Sequence, residues 1–338
     1  MALILVEGFD AIASAVGQDT APELIQIRHI SSSTSPFKSV AGRRAGSYGV
    51  RFTTSSTAYH LYLNPPGGET HATWIVGFNF LSPAGGFAAS GPFMKLAQVG
   101  QAGSADSINL RVAATNNVIE IRDGGDNLIA STANDVFTGS TWHHMEFKVY
   151  CHASAGTYEL KIDGSTVLSD TGLDTDYAGS VAEFAKAMIS SAGNVTYGPY
   201  IDDFYICDGS GSGPANDFLG QCYVETLFPI TDEGPNDGTP STPGDHYLMI
   251  DEAPNDGNTT YVELTADADQ EMYSHEALTE SWTVIGIEMT TIYSNQSASG
   301  IKLKNVAESG AVEDSQTAKP CVGGFYYLGM SHISDTNP

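Results

Sequence analysis

Basic residues are scarce in this chain. Only 14 of its 338 residues are Lys or Arg, against 40 Asp or Glu, for a formal net charge of −26. A surface of that sign repels phosphate, so nucleic acid and anionic membranes are excluded as partners. Cysteine is scarcer still. Cys151, Cys207, Cys222 and Cys321 stand far apart, with no Cys-x-x-Cys pair. That spacing excludes a thiolate zinc site and predicts buried free thiols. No apolar run approaches the roughly 18 residues of a membrane helix, so membrane insertion is not expected. The opening Met1-Ala2-Leu3-Ile4-Leu5-Val6-Glu7 has no basic segment, and its apolar run is too short for a secretory signal. It predicts synthesis in a cytosol. Long helical patterns are few, whereas 36 glycines and 15 prolines punctuate the chain. Many short strands joined by turns are the expected outcome.

The clearest pattern is Trp142-His143-His144-Met145-Glu146-Phe147-Lys148-Val149-Tyr150, a short link over 152–156, and Gly156-Thr157-Tyr158-Glu159-Leu160-Lys161-Ile162-Asp163-Gly164. Met145, Phe147, Val149 and Cys151 share one face of the first strand. Tyr158, Leu160 and Ile162 share one face of the second. The Asp163-Gly164 turn then opens another strand. Trp74, Val76, Phe78 and Phe80 alternate in the same way, with Ile75 and Gly77 opposite. Further strands are expected at 3–6, 94–99, 108–112, 118–122, 128–131 and 200–208. Residues 11–30 and 182–188 are undecided between loop and helical turn.

Asp208-Gly209-Ser210-Gly211-Ser212-Gly213-Pro214 reads as a flexible connector. A strand at 222–227 follows, and Pro, Gly, Asp, Asn and Thr then dominate up to residue 245. The domain boundary is placed near 228. Beyond it, strands are expected at 261–264, 282–291, 300–305 and 325–330. Asp232-Glu233-Gly234-Pro235-Asn236-Asp237-Gly238 returns as Asp251-Glu252-Ala253-Pro254-Asn255-Asp256-Gly257. Two copies do not make a solenoid. They read as two similar loops, each with glycine at positive φ in a Pro-Asn-Asp-Gly turn.

The excess of acid has two readings: solubility in a salty medium, or divalent-cation binding. Under the second, Asp251, Glu252 and Asp256 are the candidate metal ligands. Calcium is the ion their oxygens suit, although the spacing does not fit an EF-hand. No cofactor is otherwise required.

No catalytic constellation emerges, and the chain is expected not to be an enzyme. Paired carboxylates on one strand would serve glycoside hydrolysis. The nearest pattern, Glu159-Leu160-Lys161-Ile162-Asp163, places Lys161 in the middle and commits Asp163 to a turn. Adjacent positions predict that Asp202 and Asp203 face opposite ways, as do His143 and His144. Ser210 lies in the connector, without the strand-to-helix elbow that activates a serine. Tyr59, Tyr62, Tyr197 and Tyr200 are candidate sugar-stacking residues among 16 tyrosines, though core or inter-subunit packing accounts for most tyrosines in a sandwich.

The Trp142–Gly164 hairpin and the strand Tyr200-Ile201-Asp202-Asp203-Phe204-Tyr205-Ile206-Cys207-Asp208 resemble laminin-G-like or concanavalin A-like domains. The resemblance implies an all-β fold: an antiparallel jelly-roll sandwich over 1–227, followed by a smaller β-rich domain over 228–338. The chain also resembles a family of tailed-bacteriophage virion proteins. The residues that carry this are Leu5-Val6-Glu7-Gly8-Phe9-Asp10, the Trp142–Phe147 strand, Ile201–Gly211, Asn216-Asp217-Phe218-Leu219-Gly220 and Asp251–Val262, most strongly over 140–265. It implies a structural component of a phage particle: a tail-fibre, tail-associated or head-decoration protein assembled in the host cytoplasm. Its expected partners are other phage structural proteins and its own copies, as a homotrimer anchored through the smaller domain. A carbohydrate-binding adhesin for a host surface glycan is the alternative. A glycan depolymerase is a third reading that lacks its paired carboxylates.

Overall fold

The alternating stretches fold into an all-β, antiparallel two-sheet sandwich. The computed structural model describes residues 3–13, 15–17, 37–52, 70–82, 94–100, 106–113, 117–176, 184–191, 199–210, 213–266, 268–295, 302–309, 312–315, 319–320 and 324–333. The sandwich strands are Leu3–Glu7 (β1), Phe37–Ala41 (β2), Tyr48–Phe52 (β3), Thr73–Leu81 (β4), Met94–Gly100 (β5), Asp106–Val112 (β6), Ile119–Asp123 (β7), Leu128–Ser131 (β8), Trp142–Tyr150 (β9), Gly156–Ile162 (β10), Ser165–Leu173 (β11), Phe184–Ser191 (β12) and Tyr200–Cys207 (β13). An eight-stranded sheet runs β11-β10-β9-β4-β13-β3-β2, with β1 also paired to β13. A five-stranded sheet runs β12-β5-β6-β7-β8. Residues 184–188, undecided from sequence, belong to β12. The undecided stretch 11–30 is described only in part, where Asp10–Ile12 forms a 3₁₀ turn.

Register carries the apolar alternation from strand to strand. Phe147 lies opposite Val76 on one side and Leu160 on the other, and Met145 lies opposite Phe78 and Ile162. These residues, with Trp74 and Phe80, face Val99, Ile108, Leu110, Ile119 and Ile121 of the smaller sheet in one buried cluster. Each such side chain stabilises the fold by about 1.5–3 kcal/mol through removal from water.

The eight-stranded sheet is apolar on its outer face too. Leu3, Ile75, Tyr205, Cys207 and Ala215 form a second buried cluster, against which Val6, Phe218, Leu219 and Cys222 pack. Residues 213–228 supply the cover and lie across this face as a strap. The strand expected at 222–227 does not form. The strap's N–H groups donate to side chains of the sheet face, not to a neighbouring backbone: Leu219 N to the Tyr205 hydroxyl, Gly220 N to Glu146 and Val224 N to Asp203. The connector before it is also tethered where it is described. Ser210 donates through both N and Oγ to Asp208 Oδ1, each at 2.8 Å.

Beyond Phe228 the described chain pairs in two-stranded ribbons. Pro229–Asn236 (β14) pairs with Glu271–His275 (β17), and Thr239–Pro240 (β15) with Val262–Glu263 (β16). Gly286–Asn295 (β18) pairs with Gly324–Ile333 (β23). Lys302–Leu303 (β19), Val306–Ser309 (β20), Val312–Ser315 (β21) and Lys319–Pro320 (β22) pair as β19-β22 and β20-β21. The strand expected at 261–264 shrinks to two residues, the one expected at 300–305 is strand at Lys302–Leu303 among its described residues, and the one expected from 282 begins at Gly286. The β18–β23 ribbon docks on the sandwich. Glu288 Oε2 accepts from Val6 N at 2.7 Å, and Ile292 packs against the main core.

Candidate functional site

Strand β9 sends Met145, Phe147 and Val149 inward and His144, Glu146 and Lys148 outward. In a one-sided sheet the outward set would be solvated. Here the strap covers it, so His144 and Glu146 are buried. Gly77 stands between Tyr205 and Glu146 in register. A Cβ at Gly77 would lie 2.0 Å from the Tyr205 ring, so only glycine lets the ring lie flat there. The ring then carries its hydroxyl to Glu146 Oε1, which also accepts from Gly220 N at 2.8 Å. His144 Nδ1 meets Asn79 Oδ1 at 3.2 Å, and its Nε2 stands 3.9 Å from Glu146. Asn79 Nδ2 donates onward to Asp203 Oδ2 at 2.8 Å.

Asp202 and Asp203 do not face opposite ways as strict alternation predicts. Asp203 adopts φ 51°, and the pairing of β13 with β4 slips between Asp202 and Tyr205. This bulge turns both carboxylates toward the loop that holds Arg43. Asp202 Oδ2 accepts from Arg43 N at 2.7 Å, and Asp203 Oδ2 lies 3.6 Å from Arg43 Nη1. Val224 N donates to Asp203 Oδ1 at 2.7 Å.

Burial governs the electrostatics of this layer. It pushes Asp202 well above the ordinary carboxylate range, and the charge of Asp203 pushes it further. Burial also raises Asp203, against donors from Val224 and Asn79 and the Arg43 charge. Asp10, beside the same loop, is raised to about 6 by burial, against N–H bonds from Tyr48 and Thr226. Burial alone would raise Glu146, but His144, Tyr205 and Gly220 together outweigh it and hold the carboxylate below its usual value. Tyr205 is driven far up by burial and then by the Glu146 charge.

The residue types suit proton transfer, but donors of the strap and of the sheet itself engage the acceptors. Glu146 Oε1 is saturated by Tyr205 and Gly220, and both Asp203 oxygens accept hydrogen bonds. In this state the arrangement clamps the strap to the sheet. The sequence signal was the near-continuous apolar run of β4. Ile75 on the face opposite Trp74 and Val76 indicates a sheet covered on both sides. The grouping of Asn79, His144, Glu146 and Tyr205 is not legible in the sequence because they come from three separate strands.

The sequence-predicted residues fare differently. Tyr59, Tyr62 and Tyr197 lie outside the described residues. Tyr200 accepts from Arg51 Nη1 at 3.2 Å and is half-buried. His143 and His144 do take opposite faces, and His143 is held by Asp163 at 2.7 Å and by Thr138. Glu159 accepts from Thr166 at 2.6 Å on the surface.

The candidate metal ligands Asp251, Glu252 and Asp256 do not group as a trio. Glu252 and Asp256 converge on the Thr260 hydroxyl, and Asp256 Oδ1 also accepts from Thr260 N at 3.3 Å. These bonds close a turn and use the oxygens an ion would need. Among the described residues, no three His, Cys, Asp or Glu side chains group as a metal site.

The two repeat copies also diverge. Gly257 has φ 78° as expected, but the matching Gly238 does not take positive φ, and residues 232–236 of the first copy belong to β14. There Asp232 accepts from His246 N and Tyr247 N, each at 2.7 Å.

One aromatic pair was not singled out from sequence. Tyr223 of the strap and Trp282 stand with ring centroids 5.3 Å apart and are 38% and 44% exposed. The Arg43 guanidinium lies 4.3 Å from the Tyr223 ring centre.

No family model and no curated protein matches the chain. Among solved structures it is similar to an endo-β-1,4-glucuronan lyase from the fungus Trichoderma reesei, at 14% identity and TM-score 0.38, over 48% of this chain and 82% of that one. It is similar to alginate lyase vAL-1 from Chlorella virus at 12% identity and TM-score 0.36, over 52% and 90% of the two chains. Domain 4 of AbnA, an extracellular arabinanase from Geobacillus stearothermophilus solved with arabinotriose, is similar at 14% identity and TM-score 0.35, over 61% and 93%. Likeness at this level says nothing about activity or substrate.

Proposed function

We propose that this chain is a non-catalytic structural component of a tailed-phage particle, a tail-fibre, tail-associated or head-decoration protein displaying a lectin-like sandwich. One observation carries the non-catalytic part. The polar layer on the outer face of the large sheet, the best approach to an acid–base cluster among the described residues, is closed by the chain's own strap through Leu219, Gly220 and Val224. A hydrolase or lyase needs such a layer open to a polymer. The particle assignment rests on the resemblance over residues 140–265. It carries with it assembly in the host cytoplasm, other phage structural proteins as partners, and a homotrimeric state. The smaller β-rich region after residue 228 is the proposed surface for contact between copies, since its described strands pair as two-stranded ribbons whose backbone edges are not part of the sandwich sheets.

Mass spectrometry of purified particles of the encoding phage tests the assignment, with light scattering on the purified chain. The expected results are stoichiometric presence in the particle and a mass of three chains. A stable monomer absent from particles overturns both. Incubation with host polysaccharides should release neither reducing ends nor unsaturated products. Release that a Glu146→Gln or His144→Ala variant abolishes would establish an enzyme.

A second reading, a carbohydrate-binding adhesin, is favoured by the exposed Tyr223–Trp282 pair.

A further inference from the structure

We infer that Tyr223 and Trp282 form a binding platform for the apolar face of a neutral hexopyranose in a host surface glycan. This rests on the adhesin reading and gives it a location. The two rings come from segments far apart in sequence, the strap and the exposed run 275–283. They meet at 5.3 Å with a tilt of 45°, which forms a shallow bent surface. Sugar rings present patches of C–H groups that stack on such faces, where aromatic side chains offer apolar area with little conformational freedom to lose.

The platform is held in place before any ligand arrives. The Arg43 guanidinium covers Tyr223, and Arg43 is itself fixed by Cys222 O at 3.3 Å and Asp203 at 3.6 Å. The Trp282 segment is tied to the strap at three points and to the loop between β2 and β3 at a fourth. Thr279 N donates to Glu225 Oε1 at 3.1 Å, and Arg44 Nη1 reaches Thr279 Oγ1 at 3.4 Å. Phe228 N donates to Glu276 Oε2 at 3.1 Å, and Glu276 N to Phe228 O at 3.0 Å. Order that precedes binding removes an entropic cost of association. Glu280 and Ser281, both exposed, adjoin Trp282 in sequence and are the nearest side chains in sequence that carry donors and acceptors for hydroxyls.

Charge selects the class of sugar. The chain carries −26 overall, and the Arg43 and Arg44 cations beside the rings are already opposed by Asp203 and Glu225. Sialylated and uronate glycans would meet net repulsion with no free cation from this pair to offset it. Neutral hexoses avoid that cost. A second copy of the chain is a poorer occupant, because two rings are far smaller than the roughly 800 Å² per partner of a stable interface.

The test is a glycan array carrying neutral and anionic glycans, probed with the full chain and followed by titration of the best neutral oligosaccharide. Indole fluorescence is the readout, since Trp74 is fully buried and Trp142 half-buried, leaving Trp282 as the most exposed of the three tryptophans. We expect binding to neutral glycans and a fluorescence change on titration. Trp282→Ala should weaken binding by about tenfold or more, the loss typical of an anchoring aromatic. Trp282→Phe keeps a ring and the fold, should weaken it less, and should remove the fluorescence change. Should Trp282→Ala fail to fold, Trp282→Phe alone decides the matter. Parent-level affinity in a folded Trp282→Ala variant, or a fluorescence change on titration that persists in Trp282→Phe, overturns the site and leaves the adhesin reading standing. No binding to any glycan overturns both. Preference for anionic glycans overturns the assigned sugar class. Self-association lost with Trp282, without glycan binding, identifies the pair as a contact between copies and overturns the inference.

Discussion

The Tyr205 hydroxyl donates to the Glu146 carboxylate across Gly77, the residue that separates them in register. Three strands thus cooperate in one contact. Strand β4 supplies the missing side chain, β13 the ring and β9 the acceptor. The strap completes it, because Leu219 N and Gly220 N point at the same two groups. Gly77→Ala should therefore destabilise the fold by at least about 2 kcal/mol, at the upper side of typical overpacking costs. Urea denaturation measures this, and a double-mutant cycle with Tyr205→Leu should show strong coupling between the two sites. Additive effects would mean that the ring does not depend on the glycine.

Phe147 tests the core on the other face of the same sheet. It is fully buried between Val76 and Leu160. Phe147→Ala should cost about 3–5 kcal/mol in chemical denaturation. A cost below about 1 kcal/mol would place the residue outside the sandwich core.

How the fold reads from sequence divides along these two faces. The inner face was legible because Met145, Phe147, Val149, Leu160 and Ile162 alternate without interruption. The outer face was not. Its cover, residues 213–228, has no periodicity of its own, because its N–H groups serve Glu146, Tyr205 and Asp203 rather than a ladder. Asp202 and Asp203 were misplaced because a single left-handed residue shifts the alternation by one position. Nothing in composition announces that bulge. The acidic turn at 251–256 showed its charge in the sequence, but not that Thr260 would engage two of its carboxylates.

Asp10 gives the fold a pH dependence of definite sign. Its carboxyl is raised from 3.8 to about 6 in the folded state, chiefly by burial. The folded chain therefore keeps this proton longer than the unfolded chain does. The associated stability, of order 3 kcal/mol, is fully present below about pH 4 and lost as pH rises through about 6. Asp202 acts in the same direction. The charged groups around Asp10 are Arg44, Glu7 and Asp202. Melting temperature should rise as pH falls from 7 to 5, in salt high enough to screen the general repulsion of a −26 chain. Asp10→Asn should flatten that rise. Below about pH 4 the trend should reverse, as Glu146, Glu120, Asp123 and Asp217, all held below their usual values, take up protons. A melting temperature that falls steadily from pH 7 to 5 would contradict the assignment.

The acidic turn makes a narrower claim. The single Thr260 hydroxyl proton is shared between Glu252 and Asp256, so Thr260→Val should cost about 0.5–1.5 kcal/mol by removing that bond from a partly exposed turn. Melting curves of the parent chain in calcium and in chelator should superimpose. A calcium-dependent rise in melting temperature would show that an ion displaces these hydrogen bonds.

Closure of the strap is measurable through Cys222. Its thiol packs against the outer-face cluster with Cys207 and is pushed up to about 12, by burial first and then by the charges of Asp203 and Glu146. At pH 8 the thiolate fraction is on the order of one part in ten thousand, and only the thiolate attacks. Cys222 in the native chain should therefore resist alkylation for hours, as judged by mass spectrometry of the peptide that carries it. Glu146→Ala removes the acceptor for Tyr205 and Gly220 together, and the strap should then open often enough for labelling of Cys222 to accelerate by about tenfold or more, at a loss of roughly 1.4 kcal/mol in closing free energy. Rapid labelling of the parent chain would mean that the strap lifts freely in solution. His144, Glu146 and Tyr205 would then be open to substrate, and the non-catalytic reading would lose the observation on which it stands.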